Sequence, residues 1–165
     1  MVHAAVTGLY IDPKMETTAI VLLKEVEGDR TLPIYIEINL AMAIAMELKK
    51  TKNGFGRPQA HDLIATVVNS LHSRIVRVLI SDLKERVYYA RILLEFSTGL
   101  LEIDARPSDS IVLALKSKAP IMIDEIVFDK RAKDGSESDG EWGQDLRDRL
   151  RQIPPEDFGN FSLNS

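Results

Sequence analysis

Apolar and polar positions alternate through the first part of the chain and then change to helical spacing. Residues 6–11, 17–26 and 30–38 are rich in β-branched and aliphatic side chains and predict three strands. Asp12-Pro13 and Glu27-Gly28-Asp29 supply turns between them, so an antiparallel meander is expected. Leu40, Ala41, Ile44, Ala45 and Leu48 then predict a helix. Asn39 is placed to cap its start, and Lys49, Lys50 and Lys52 lie at the C-terminal end, where the helix dipole favours cations. Asn53-Gly54-Phe55-Gly56 breaks this helix, and Pro58 leads into a second. On the second, Leu63, Ile64, Val67, Val68 and Leu71 form one apolar stripe, expected to face a core.

Strand patterning returns at residues 75–82, with Val76, Val78 and Ile80 expected on one face and Arg77 opposite. Over residues 87–96, Tyr88, Ala90, Ile92, Leu94 and Phe96 share one face, and Tyr89, Arg91 and Glu95 the other. Residues 100–105 predict a further strand. Ser108 is placed to cap a third helix, with Ile111, Ala114 and Leu115 inward. Residues 120–128 read as a last apolar strand. Residues 130–140 are charged and carry Gly and Ser, a linker composition. Residues 141–152 predict a short helix with Trp142, Leu146 and Leu150 on one stripe, stopped by Pro154-Pro155. The expected architecture is an α+β domain over residues 1–129, followed by a linker and helical tail over 130–165. Its core is an antiparallel or mixed twisted sheet with about three packed helices.

Composition narrows the function. The chain has 165 residues, 45% hydrophobic and 28% charged, enough for one domain with a sizeable core. Its apolar runs fall far short of the roughly 20 residues that span a bilayer, so no membrane association is expected. The N-terminal residues lack the basic-then-apolar order of a secretory signal, and a cytoplasmic location is the simplest expectation. There is no cysteine, which excludes a disulfide framework, a thiol nucleophile and a zinc ribbon. The net charge of -4 excludes nucleic-acid binding by bulk charge and leaves it to a local basic patch.

Three groups of residues are suited to chemistry. In Glu102-Ile103-Asp104-Ala105-Arg106-Pro107-Ser108-Asp109, strand alternation puts Glu102, Asp104 and Arg106 on one face, and Pro107 turns the chain into a helix. Carboxylates grouped at such a corner suit Mg²⁺ or Mn²⁺, and Arg106 suits a phosphate oxygen. Spacing alone favours a plainer role for the same residues, a helix start and a structural ion pair. In Arg57-Pro58-Gln59-Ala60-His61-Asp62, His61 has the chemistry of a general base or metal ligand, and Asp62 that of a helix-start carboxylate. Arg74, Arg77, Lys84, Arg86 and Arg91 form a possible basic stripe beside Tyr89, or else a solvated face with cross-strand pairs. There is no phosphate-binding GxxxxGK loop, no GxGxxG, no HExxH and no GxSxG.

These stretches resemble the bifunctional nuclease family. The resemblance lies in Leu32-Pro33-Ile34-Tyr35-Ile36, Arg57-Pro58 with His61-Asp62-Leu63, residues 78–83 with Tyr88-Tyr89-Ala90-Arg91, and Ala119-Pro120-Ile121. Asp104-Ala105-Arg106-Pro107-Ser108-Asp109 is its most specific part, and Pro155-Glu156-Asp157-Phe158 extends it into the tail. It implies an α+β domain, usually a dimer or larger homo-oligomer, and cleavage of both DNA and RNA assisted by a divalent metal. The matched polar positions then define expected roles. Asp104 and Asp109 hold Mg²⁺ or Mn²⁺ with Glu102 as third ligand. His61 is base or proton shuttle, oriented by Asp62. Arg57, Arg91 and Arg106 contact phosphate of a transiently bound nucleic acid. The chain departs from the family pattern at Glu37, usually Gly, at Leu40, usually Glu, at Ala60, usually Thr, and at Ser110, usually Ala. The alternative reading is a non-catalytic, self-associating module whose tail docks a protein partner or ligand.

Overall fold

The computed structural model describes residues 1–11, 17–51 and 56–133. β1 (Val2–Ile11), β2 (Thr18–Glu25) and β3 (Thr31–Glu37) form the expected antiparallel meander. On β3 the alternation is clean: Leu32, Ile34 and Ile36 are buried, and Thr31, Tyr35 and Glu37 are exposed. α1 (Ile38–Lys49) and α2 (Ala60–Ser70) follow. β4 (Arg74–Lys84), β5 (Val87–Phe96) and β6 (Gly99–Ala105) make a second antiparallel group. α3 (Pro107–Ser117), β7 (Ile121–Ile123) and α4 (Glu125–Lys133) complete the described chain. β7 pairs antiparallel with β1 and parallel with β4, so it joins the two groups into one seven-stranded mixed sheet, β3-β2-β1-β7-β4-β5-β6. The fold is α+β.

The core lies between this sheet and three of the helices. Ile44 of α1, Ile111, Val112 and Ala114 of α3, and Val127 of α4 pack with Val21, Leu23, Leu32, Val78, Ile80 and Ile123. All of these are at most 3% exposed, so each contributes about 1.5–3 kcal/mol of apolar burial apart from the alanine.

Several local expectations are corrected. β4 carries two bulges, at Val76 and Ser81, where the pairing with β5 slips by one residue. Each slip inverts the alternation, so Ile75 and Leu83 join Val78 and Ile80 on the buried face and Val76 does not. α1 starts at Ile38 with Glu37 as N-cap, which puts Asn39 inside the first turn. α3 starts at Pro107, whose fixed φ suits the first helical position, so Arg106 rather than Ser108 is the N-cap. The last strand is short because Asp124 starts a helix. Its Oδ1 accepts the Ile126 N–H at 3.2 Å and its carbonyl the Val127 N–H at 3.0 Å. α4 then runs through Lys130 and Arg131, which composition assigns to a linker. It is held by Arg30, which reaches Glu125 at 2.9 Å and lies 4.3 Å over the Phe128 ring. Its last turn is held by Lys130 on Asp82 and Arg131 on the Tyr88 hydroxyl.

α2 is the largest departure. It has no buried residue, and Leu63, Ile64, Val67 and Leu71 are all exposed. Periodicity predicts which face is apolar; it does not supply the element that covers it. The expected helix over 141–152 lies outside the described residues.

Candidate functional site

α1 and α3 lie side by side and point the same way. Glu37 at the start of α1 accepts from Arg106 at the start of α3 at 3.0 Å, and Glu47 near the end of α1 accepts from Lys116 near the end of α3 at 2.6 Å. Parallel helices concentrate positive partial charge at one end and negative at the other. The carboxylates of Glu37 and Asp109 meet the positive end, and the Lys116 ammonium meets the negative end. α2 is attached to both ends through adjacent residues, His61 and Asp62.

The first cluster sits where β6 turns into α3. Pro107 sets the helix start, so Asp109 falls in the first turn and faces both Arg106 and α2. Arg106 forks onto Asp109, with Nε to Oδ2 at 2.6 Å and Nη2 to Oδ1 at 3.3 Å. His61 Nε2 lies 3.0 Å from Asp109 Oδ1. The His61 side chain is 13% exposed and that of Asp109 26%, so the pair is sheltered with one open side. Burial pushes the Asp109 carboxyl up, but the hydrogen bonds from Arg106 and His61 outweigh it and hold it below the usual carboxylate value.

The second cluster lines a cavity of about 490 Å³ between α1, α2 and α3, walled by Met46, Glu47, Arg57, Gln59, Asp62 and Lys116 among others. Lys116 Nζ donates to Glu47 and to Asp62. The other Asp62 oxygen accepts the Gln59 backbone N–H at 2.8 Å and closes the first turn of α2. The Lys116 bond, then the Gln59 bond, hold the Asp62 carboxyl below its usual value. Burial pushes Lys116 down, but its two carboxylates outweigh this and raise it.

The expected site residues therefore divide. His61, Arg106 and Asp109 come together, with Glu37 as an added member. Arg57 and Asp62 line the neighbouring cavity, which His61 does not line. The carboxylate beside the His61 ring nitrogen is Asp109; Asp62 turns to Lys116 instead. Glu102 accepts from Arg91 at 3.0 Å across β5 and β6, and Asp104 stands opposite Arg91 in the same ladder. Among the described residues, no three His, Cys, Asp or Glu side chains gather as metal ligands. Arg77, Tyr89 and Arg91 do share one sheet face, but carboxylates neutralise part of the stripe: Arg74 bonds Glu95 and Lys84 bonds Asp82.

Glu37, Glu47 and Lys116 escape a reading of local motifs because their partners are 54 to 69 residues away. The available signal is Lys116 itself, a cation directly after the apolar run at residues 111–115. Leu40, where the family pattern has Glu, is buried.

The arrangement is that of an α+β domain with a histidine–carboxylate pair at a strand-to-helix corner. Residues 21–135 match the bifunctional nuclease domain, and the chain belongs to that family. Two curated relatives, uncharacterised proteins from two strains of Mycobacterium tuberculosis, are each 34% identical over 128 residues. The match covers 78% of this chain and 74% of each relative. No described helix is long and apolar enough to cross a membrane.

Proposed function

We propose that the protein is a nuclease that hydrolyses phosphodiester bonds of DNA and RNA, with His61 as general base. The observation that carries this reading is the 3.0 Å approach of His61 Nε2 to Asp109 Oδ1. With Asp109 held ionised, its oxygen accepts from Nε2–H and leaves Nδ1 as the proton acceptor: Nδ1 takes a proton from water as the water oxygen attacks phosphorus, the P–O bond to the leaving oxygen breaks, and that oxygen takes a proton from solvent. Asp109 thereby sets tautomer and ring orientation. Arg106 holds Asp109 and, being 61% exposed, presents the rest of its guanidinium to a phosphate oxygen. Arg57 borders the adjacent cavity and supplies a second phosphate contact, and Arg91 with Tyr89 a more distant one on the sheet face. Asp62 acts as a positioning residue through Lys116.

Glu102, Asp104 and Asp109 do not fit a shared metal ion in this geometry, so no step is routed through Mg²⁺ or Mn²⁺. Family membership supports nucleic acid as the substrate class. Self-association belongs to the same reading: β6, the last strand of the sheet, exposes Leu100, Leu101 and Ile103 beside a backbone edge that pairs with no other strand among the described residues.

The test is cleavage of labelled single- and double-stranded DNA and RNA by highly purified protein, with Mg²⁺, Mn²⁺ or EDTA. Wild type, His61→Asn, Asp109→Asn and Asp104→Asn are compared. Cleavage lost in the first two variants supports the reading, and equal activity in His61→Asn overturns it. One observation favours the second reading, a non-catalytic self-associating module: Arg106, Asp109 and Glu37 already satisfy one another. No cleavage under any metal condition, by protein that still assembles, would support that module.

A further inference from the structure

We propose that residues 141–152 of this same chain dock on the outward face of α2. Leu63, Val67 and Leu71 are 59, 48 and 68% exposed, and Ile64 beside them is 44% exposed. Leu63, Val67 and Leu71, the last being the C-cap that follows α2, stand four residues apart, so they form a line about 12 Å long on one side of the helix and its cap. No described element covers that line, and α2 adds no residue to the buried core. An apolar stripe of this kind in water forgoes the burial that normally holds an amphipathic helix in place. Among the described residues, α2 is held near its first turn by His61 and Asp62, and along its length by partial packing of Val68.

The segment after α4 has the matching pattern. Trp142, Leu146 and Leu150 repeat at the same four-residue interval over the same length, so two such helices present equal stripes to each other. Pro154-Pro155 limits the segment to that length. The connection is long enough to cross much of the domain. α4 ends at Lys133, and the nine residues from Asp134 to Trp142 extend to about 30 Å at most. That is about twice the radius of gyration of a domain of this size. α2 also offers no charge along its exposed stripe to oppose the segment: its titratable residues, His61 and Asp62, face α3.

The inference is independent of the nuclease reading and is tested without activity. Trp142 is the sole tryptophan of the chain, so its fluorescence reports on this segment alone. In the full-length protein its emission is expected to be blue-shifted, with quenching by acrylamide several-fold weaker than in a peptide of residues 138–154. Val67→Asp and, separately, Leu71→Asp alter exposed positions and should return both readings to those of the peptide. Their far-UV circular dichroism should change little. Leu150→Asp should do the same from the other side. Peptide-like emission in the wild type overturns the proposal, as does a blue shift that persists in Val67→Asp. A shift that grows with protein concentration, together with a dimer in light scattering, also overturns it and assigns the face to a second copy.

Discussion

Lys116 on α3 donates to Glu47 on α1 and to Asp62 on α2, so one ammonium joins three helices. Its side chain is only 12% exposed. Lys116→Met removes the cation and leaves two partly sheltered carboxylates near each other. This is expected to cost about 1–3 kcal/mol, read as a lower urea midpoint. Adding Asp62→Asn to that variant should recover part of the loss, because one uncompensated charge disappears. An unchanged midpoint in Lys116→Met would reduce these contacts to surface pairs.

The same ties predict a pH dependence. Asp62 and Asp109 are held below the ordinary carboxylate value, so in the interval between folded and unfolded values the unfolded chain binds more protons. Their contribution is full above about pH 4 and is lost as the pH falls through the folded values. Lys116 is raised, so its contribution is full below about pH 10 and is lost as the pH rises through its folded value. Thermal midpoints measured against pH should fall on the acid side, and less steeply in Lys116→Met, where Asp62 has lost the main cause of its shift.

Ser110 points to a simpler gain. Its Oγ is buried and has no hydrogen-bond partner among the described residues. Ser110→Ala removes that hydroxyl, leaves little space behind and favours the helix. It should stabilise the protein by about 1 kcal/mol, seen as a higher denaturation midpoint. A loss of stability would mean that the hydroxyl has a partner.

For catalysis the comparison of adjacent residues is decisive. His61→Asn should lower the cleavage rate constant by about 100-fold or more. Asp62→Asn should have a much smaller effect, because Asp62 holds α2 and does not handle the proton. Steady-state rates on one labelled substrate separate the two. Equal effects would mean that His61 also serves only to hold α2.

How far the chain could be read from its sequence depends on the range of the interaction. On β5, alternation places Ala90, Ile92 and Leu94 inward, and all three are buried, because a strand's faces follow from spacing alone. The bulges at Val76 and Ser81 defeat that rule on β4, since a bulge depends on the partner strand. Residues 120–128 read as one strand because apolar runs do not reveal a change of element; Asp124 was the local signal for it. At the site, His61, Asp62, Arg106 and Asp109 were visible as local motifs. The contact between His61 and Asp109, 48 residues apart, was not. Glu37, in the sequence a departure from the family pattern, is in the structure the partner of Arg106.

Between their two ties, α1 and α3 cover equal lengths of chain: Glu37 to Glu47 on one, Arg106 to Lys116 on the other. One residue inserted into either span would move a partner about 1.5 Å along the axis and roughly 100° around it. Both ends cannot then pair at once, and α2, anchored at both clusters, would lose its seat. These two spans act as matched rulers. Natural insertions and deletions should therefore fall in the connections between elements, where a change of length leaves both measures intact.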